Sequence, residues 1–181
     1  MESVQSWLNE PTTDRTPFKV RAIVDTAVGF LDLVGYTAWC EQLGPNELAR
    51  AVNDFEQAAG ELITMNGGRV VKNIGDAVMY VTSSTDIACR VALELCRFVD
   101  EHPLLTQLRA AVAVGDVQQR DGDYFGSTVN RAARLVKEAE PGTLVSDAEV
   151  DGFSAERRGT TTLRGIDEPV PVYRITLPKT R

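Results

Sequence analysis

The sequence predicts an α+β fold in which an antiparallel-rich sheet is flanked by helices, related to the ferredoxin-like split βαβ arrangement. Three observations predict it. Apolar runs of strand length alternate with amphipathic stripes of helix length, a Gly-Asp turn joins two short strands near the middle, and the elements follow the order strand, helices, hairpin, helix, strand, helix, strand. No internal repeat or low-complexity tract interrupts that order.

The elements follow from local chemistry. Residues 22–32 are mostly apolar and run into Gly35, as a buried strand does when it delivers Asp32 to a loop, and a helical start follows from about Gly35. After Gly44 and Pro45, the residues Leu48, Ala51, Val52, Phe55, Ala59, Leu62 and Ile63 recur at helical spacing until Asn66, Gly67 and Gly68 stop the helix. Strands over about 69–73 and 77–82 flank Gly75 and Asp76, which is hairpin chemistry. Ser83 with Asp86 reads as a capping box for a helix that turns Ile87, Val91, Leu95 and Phe98 inward.

Leu108 to Gly115 is a further buried strand. From Gly126 a helix runs to about Glu140 with Val129, Ala132, Ala133 and Val136 inward, ending at Pro141 and Gly142. Short strands near 143–145, 159–163 and 170–176 complete the chain, and Pro169 and Pro171 mark the last as an edge.

A chain of 181 residues with 43% hydrophobic content is most economically one domain with one sizeable core. Residues 1–21, with Pro11 and Pro17, read as a polar tail or linker in which Trp7 and Leu8 are apolar exceptions, and residues 22–181 as the domain. The net charge of -7 argues against a nucleic-acid polymer as partner, because backbone phosphates need a basic face. It also means that a polyanionic small substrate needs divalent cations and a local basic cluster.

Cys40, Cys89 and Cys96 are odd in number and lack a CxxC pattern, so they read as reduced thiols of a cytoplasmic protein, with Cys89 and Cys96 as small core residues. His102 is the single histidine, which removes mechanisms built on a histidine pair. Its place before Pro103 predicts a surface loop. No apolar run reaches the roughly eighteen residues of a membrane span and the N-terminus lacks a signal-peptide core, so no membrane segment is expected. Neither a GxxxxGK[ST] loop nor a GxGxxG turn is present, which excludes phosphate binding by those devices.

Polar residues in three strings suit phosphoryl chemistry. Asp32 ends an otherwise apolar strand and Asp76 sits on a hairpin turn, and two hard oxygen ligands converging at one sheet edge suit Mg²⁺ or Mn²⁺. Each also has a plain reading, Asp32 as the cap of the next helix and Asp76 as a turn residue. Lys72 reads equally as a solvated strand lysine and Asp123 as a loop acid. Asn130 and Arg134, four apart, share one helix face and suit a ribose oxygen and a phosphate oxygen, but Arg131 and Lys137 make that face an ordinary polar one as well.

The strings FLDLVGYT, NGGRVVKNIGDAVMYV, GDYFGSTVNRAARL, PGTLVSD and LRGIDEPVPVY, in this order over Val24 to Leu177, resemble the class III nucleotidyl cyclase catalytic domain. The resemblance implies that Asp32 and Asp76 hold two metal ions, Mg²⁺ or Mn²⁺, and that Lys72 and Asp123 recognise adenine. It makes Asn130 the ribose-orienting residue and Arg134 the residue that stabilises the transition state, and it sets Arg164 near the terminal phosphates. Guanylyl members carry other residue types at the positions of Lys72 and Asp123, so the chain looks like an adenylyl cyclase.

The implied reaction is attack of the ATP 3′ hydroxyl on its own α-phosphorus, giving cyclic AMP and pyrophosphate, with one metal lowering the pKa of the hydroxyl and both clamping the phosphates. Family members form head-to-tail dimers, so a homodimer with shared sites is implied. A nucleotide-binding pseudo-cyclase and a guanylyl or mixed purine cyclase are the alternatives. Two strings depart from the family pattern: RAAVAVG carries Ala111 and Ala113 where glycine and a polar residue are common, and TAVGF opens the first strand unusually.

Overall fold

Alternation along the first strand, β1 (Arg21–Leu33), divides the molecule into two cores. Ala27, Leu31 and Leu33 point into one buried cluster, and Val28 and Phe30 point into another on the opposite face of the sheet. The computed structural model describes residues 20–178, and the N-terminal residues Trp7 and Leu8 lie outside them.

The sheet is built in the order β2 (Arg69–Ile74), β3 (Ala77–Thr82), β1, β4 (Leu108–Arg120), β6 (Leu144–Ser146), β8 (Val170–Thr176) and β7 (Ser154–Thr161), with β5 (Asp123–Phe125) paired to β4. β1 runs antiparallel to β3 and β4, and β3 antiparallel to β2. That four-strand half is the split βαβ core foreseen from the element order. The other half begins with β6, which lies parallel to β4.

Helices α1 (Tyr36–Gln42), α2 (Pro45–Met65) and α3 (Thr85–Glu101) cover the face of Leu31. α4 (Ser127–Leu135), followed by a 3-10 turn over Val136–Glu138, covers the face of Val28. The α2 stripe is as the periodicity predicts, with Ala51, Phe55, Ala59 and Ile63 buried. Cys89 and Cys96 are buried core thiols whose pKa burial pushes up to about 12. Among the described residues no helix is long and apolar enough to cross a membrane.

The two departures in the strands have steric reasons. Gly29 stands opposite Tyr80 across β1 and β3, and a β-carbon on it would lie 2.1 Å from Tyr80 Cε1 and Cζ. The phenol therefore lies over the bare glycine backbone, and its hydroxyl donates to the Ala88 carbonyl of α3 at 2.7 Å. Burial pushes the pKa of Tyr80 well above the usual phenol value. Ala111 and Ala113 are fully buried in the same cluster as Ala132 of α4, where small side chains let the helix come close to the sheet.

Several local expectations are corrected. The N-cap of α3 is Ser84 rather than Ser83, so no capping box forms with Ser83; Asp86 instead accepts from the Ser84 hydroxyl, the leading cause of its lowered pKa. The α3 face turned inward is Ala88, Cys89, Val91, Ala92, Leu95, Cys96 and Val99, with Ile87 and Phe98 only half-buried.

The helix from Gly126 ends as α-helix at Leu135, earlier than Glu140, and β7 begins at Ser154. β8 is an interior strand, and β7 forms the edge. Pro171 is tolerated because it pairs only with Thr160 of β7; β6 reaches no further along β8 than Tyr173, so no ladder bond is lost there. His102 is no surface-loop side chain: it is 14% exposed, its Nδ1 accepts from the Leu104 and Leu105 amides at 3.3 Å, and its Nε2 lies 3.4 Å from Asp54.

Candidate active site

Asp32 falls on the α4 face because it is even-numbered like Val28 and Phe30, and it is 2% exposed. A carboxylate that deep needs compensation. Arg109, its register partner on β4, donates from Nε and Nη2 to Oδ2, each at 2.7 Å. Lys137, from the 3-10 turn after α4, donates to Oδ1 at 2.6 Å. Asp32 does not cap the next helix, since the N-cap of α1 is Gly35 without a side-chain cap bond. The sequence treated Lys137 as part of an ordinary polar face and gave Arg109 no role. The signal that exposes Arg109 is the side-chain alternation of β1 and β4 combined with their pairing register, and no such local signal exposes Lys137.

Asp76 occupies the β2–β3 turn beside Gly75, whose φ of 62° suits glycine. Ala77 is the register partner of Asp32, and the Leu33 amide donates to the Asp76 carbonyl at 3.2 Å. Asp32 and Asp76 therefore stand at the same end of the sheet, Asp76 one residue before the register partner of Asp32. Asp76 is half-buried, and its charge joins the Cys40 hydrogen bond and burial in raising the Tyr36 pKa.

Among the described residues no group of three or more His, Cys, Asp or Glu could hold an ion unaided. Two hard carboxylate donors and no more fit Mg²⁺ or Mn²⁺, which keep waters and share substrate phosphates, and do not fit a nitrogen or sulfur site. The site is thus suited to ions that arrive with a polyphosphate.

Lys72 and Asp123, whose spacing gave no reason for them to meet, form an ion pair: Nζ donates to both carboxylate oxygens at 2.8 and 2.7 Å. A β-bulge between Val70 and Lys72 and the short β4–β5 hairpin bring them together. The Lys72 bond is the main cause of the lowered Asp123 pKa, with the Tyr124 amide donating as well. Both side chains keep about a third of their surface, and Phe125 stays exposed beside them with its ring centroid 5.8 Å from Nζ.

Asn130 and Arg134 project from α4, Asn130 exposed and Arg134 half-buried. The helix is held in register by Arg131, which donates to Asp147 and to the Val114 carbonyl, and by Thr128, which donates to the Asp116 carbonyl at 2.9 Å. Gly115 is required there, because a β-carbon would come within 2.8 Å of the Thr128 hydroxyl. Burial pushes the Asp147 pKa up, and Arg131 pulls against it.

Arg134 Nη1 is sealed from solvent and has no hydrogen-bond partner, the one such side-chain atom among the described residues. Its Nη2 faces Gly165, in the β7–β8 loop that also carries the exposed Arg164. An open cleft of about 610 Å³ lies between that loop and α4, lined by Ser127, Asn130, Arg131 and Ile166. No hydrogen bond or ion pair among the described residues joins Asn130 or Arg134 to Asp32 or Asp76. One chain thus carries an acidic pair at the strand ends and a cationic group on α4 in which Arg134 Nη1 lacks an acceptor.

Residues 18–176 match the family model described as the adenylate and guanylate cyclase catalytic domain. An uncharacterized protein of Mycobacterium tuberculosis is 38% identical over 158 residues, covering 85% of this chain and 42% of its own length. An adenylate cyclase of Glutamicibacter nicotianae is 45% identical over 122 residues, covering 67% of this chain and 30% of its own. The chain therefore spans less than half the length of these curated relatives. Among solved structures, the adenylate/guanylate cyclase/hydrolase of Silicibacter pomeroyi is 25% identical with a TM-score of 0.74, covering 89% of this chain and 100% of that one.

Proposed function

Because the chain belongs to the adenylate and guanylate cyclase catalytic domain family, we propose that it is an adenylyl cyclase domain that closes ATP to 3′,5′-cyclic AMP and pyrophosphate at a homodimer interface. The observation that carries the choice of ATP is the Lys72–Asp123 pair, with Nζ 2.7 Å from Oδ2. An ammonium donor held against a carboxylate acceptor complements the ring nitrogen and exocyclic amine of adenine, and guanine would set its carbonyl against Asp123.

Asp32 and Asp76 would hold the divalent ions, which when bound supply activation of the 3′ hydroxyl and neutralisation of the phosphates. Arg134 would meet charge that grows on the phosphate oxygens in the transition state, and Asn130 would orient the ribose. Arg164 would bind the terminal phosphates. The buried, unpartnered Nη1 of Arg134 supports that role, since a sealed cationic donor without an acceptor is costly unless a ligand or a second subunit completes it. The lack of any bond between Arg134 and the acidic pair within one chain supports sharing of the site between two copies.

The test is a direct assay of purified protein with Mn²⁺ and either ATP or GTP. Cyclic AMP formed from ATP in preference to cyclic GMP from GTP supports the proposal. Nucleotide binding without turnover favours the pseudo-cyclase, a reading to which the occupied Asp32 oxygens lend some support.

A further inference from the structure

Asp32 spends its two oxygens on two cations of different character. Arg109 approaches Oδ2 from the adjacent strand, is 23% exposed, and is fixed by its register position. Lys137 holds Oδ1 from a 3-10 turn, and its side chain is 56% exposed. A flexible ammonium with more than half its surface in water leaves at small cost, whereas a two-point guanidinium contact from a strand does not. Oδ1 is therefore the half of this buried carboxylate held by the looser, more exposed partner, Lys137.

We propose that Lys137 is a tethered, displaceable counter-ion, occupying Asp32 Oδ1 in the metal-free protein and yielding it when a divalent cation binds. This rests on the reading of Asp32 as a metal ligand. A buried carboxylate at the mouth of a site would otherwise be left half-compensated between turnovers. The lysine fills that gap and sets a threshold, because a metal must outcompete it. It acts as a positioning residue and touches no reacting atom. Its place in the sequence, one helical turn beyond Arg134, ties the release of Asp32 to the helix that carries the transition-state arginine.

The experiment measures Mn²⁺ binding from the loss of the free-ion electron paramagnetic resonance signal, with Mn²⁺ alone and with Mn²⁺ plus α,β-methylene ATP. Wild type is compared with Lys137→Ala, Lys137→Arg and Asp32→Asn. Lys137→Ala is expected to bind Mn²⁺ roughly three- to tenfold tighter than wild type, the scale of one partly exposed charge pair acting against a divalent ion. Lys137→Arg should stay at or below wild-type affinity. Thermal unfolding in a chelator should be lower for Lys137→Ala than for wild type, and the gap should close with Mn²⁺.

Equal or weaker Mn²⁺ binding by Lys137→Ala, with wild type binding normally, overturns the proposal and leaves the cyclase reading standing. Unchanged binding by Asp32→Asn, or no binding by any protein with or without nucleotide, overturns the metal assignment and the counter-ion with it.

Discussion

Arg134 is the residue whose state in one chain calls most plainly for something outside it, a guanidinium nitrogen buried without an acceptor. If the acceptor is a phosphate oxygen that gains charge in the transition state, Arg134→Ala should lower turnover by about 10²–10³, or about 2.7–4 kcal/mol, with a much smaller change in KM. Steady-state kinetics with ATP measures both, and unchanged turnover removes Arg134 from that role. For Lys72 and Asp123 the prediction is selectivity: exchanging both for a guanine-matching pair should shift the ratio of kcat/KM for ATP over GTP toward GTP, and an unmoved ratio ends their assignment.

The pH behaviour of that pair has a fixed sign. Because the folded pKa of Asp123 is lowered, the contribution of the pair is fully present above the unfolded carboxylate value and is lost as pH falls through the folded one. A carboxylate titration followed by NMR should find Asp123 ionised throughout the neutral range, with its midpoint raised toward the ordinary value in Lys72→Ala.

At the scale of elements, packing decides what local pattern leaves open. Gly29→Ala would drive a methyl group into the Tyr80 ring at 2.1 Å between two central strands, so a loss of about 3 kcal/mol or more is expected in denaturant unfolding. Tyr80→Val in the same chain should recover part of it, and an additive double variant would deny the contact. Thiol labelling reads the helices: Cys40, half-buried on α1, should react in the native protein, while Cys89 and Cys96, buried on α3 with pKa near 12, should react only on unfolding.

The hairpin around Gly75 and the α2 stripe were legible because turn chemistry and helical period are local. The interior place of β8 was not, since Pro171 is an edge signal whose meaning depends on how far β6 extends along the partner strand. The α3 cap was missed by one residue because Ser83 and Ser84 are equivalent as sequence.

For the whole molecule, the residues that would do the chemistry were identified from the order of distant strings and not from their spacing. Nothing local tells that Lys72 meets Asp123 or that Lys137 meets Asp32, pairs 51 and 105 residues apart. Those contacts come from the bulge in β2, the β4–β5 hairpin and the return of α4 over β1, all products of the fold. In one chain no hydrogen bond or ion pair among the described residues joins Asn130 or Arg134 to Asp32 or Asp76, which is the ground for proposing a site shared by two copies.

Subunit complementation tests that most directly. Asp32→Ala and Arg134→Ala proteins, each inactive alone, are mixed under conditions where subunit exchange is verified, and cyclic AMP is measured with Mn²⁺ and ATP. Partial recovery is predicted, because one interface of the mixed dimer pairs an intact acidic group with an intact Arg134; no recovery with exchange confirmed would contradict a shared site.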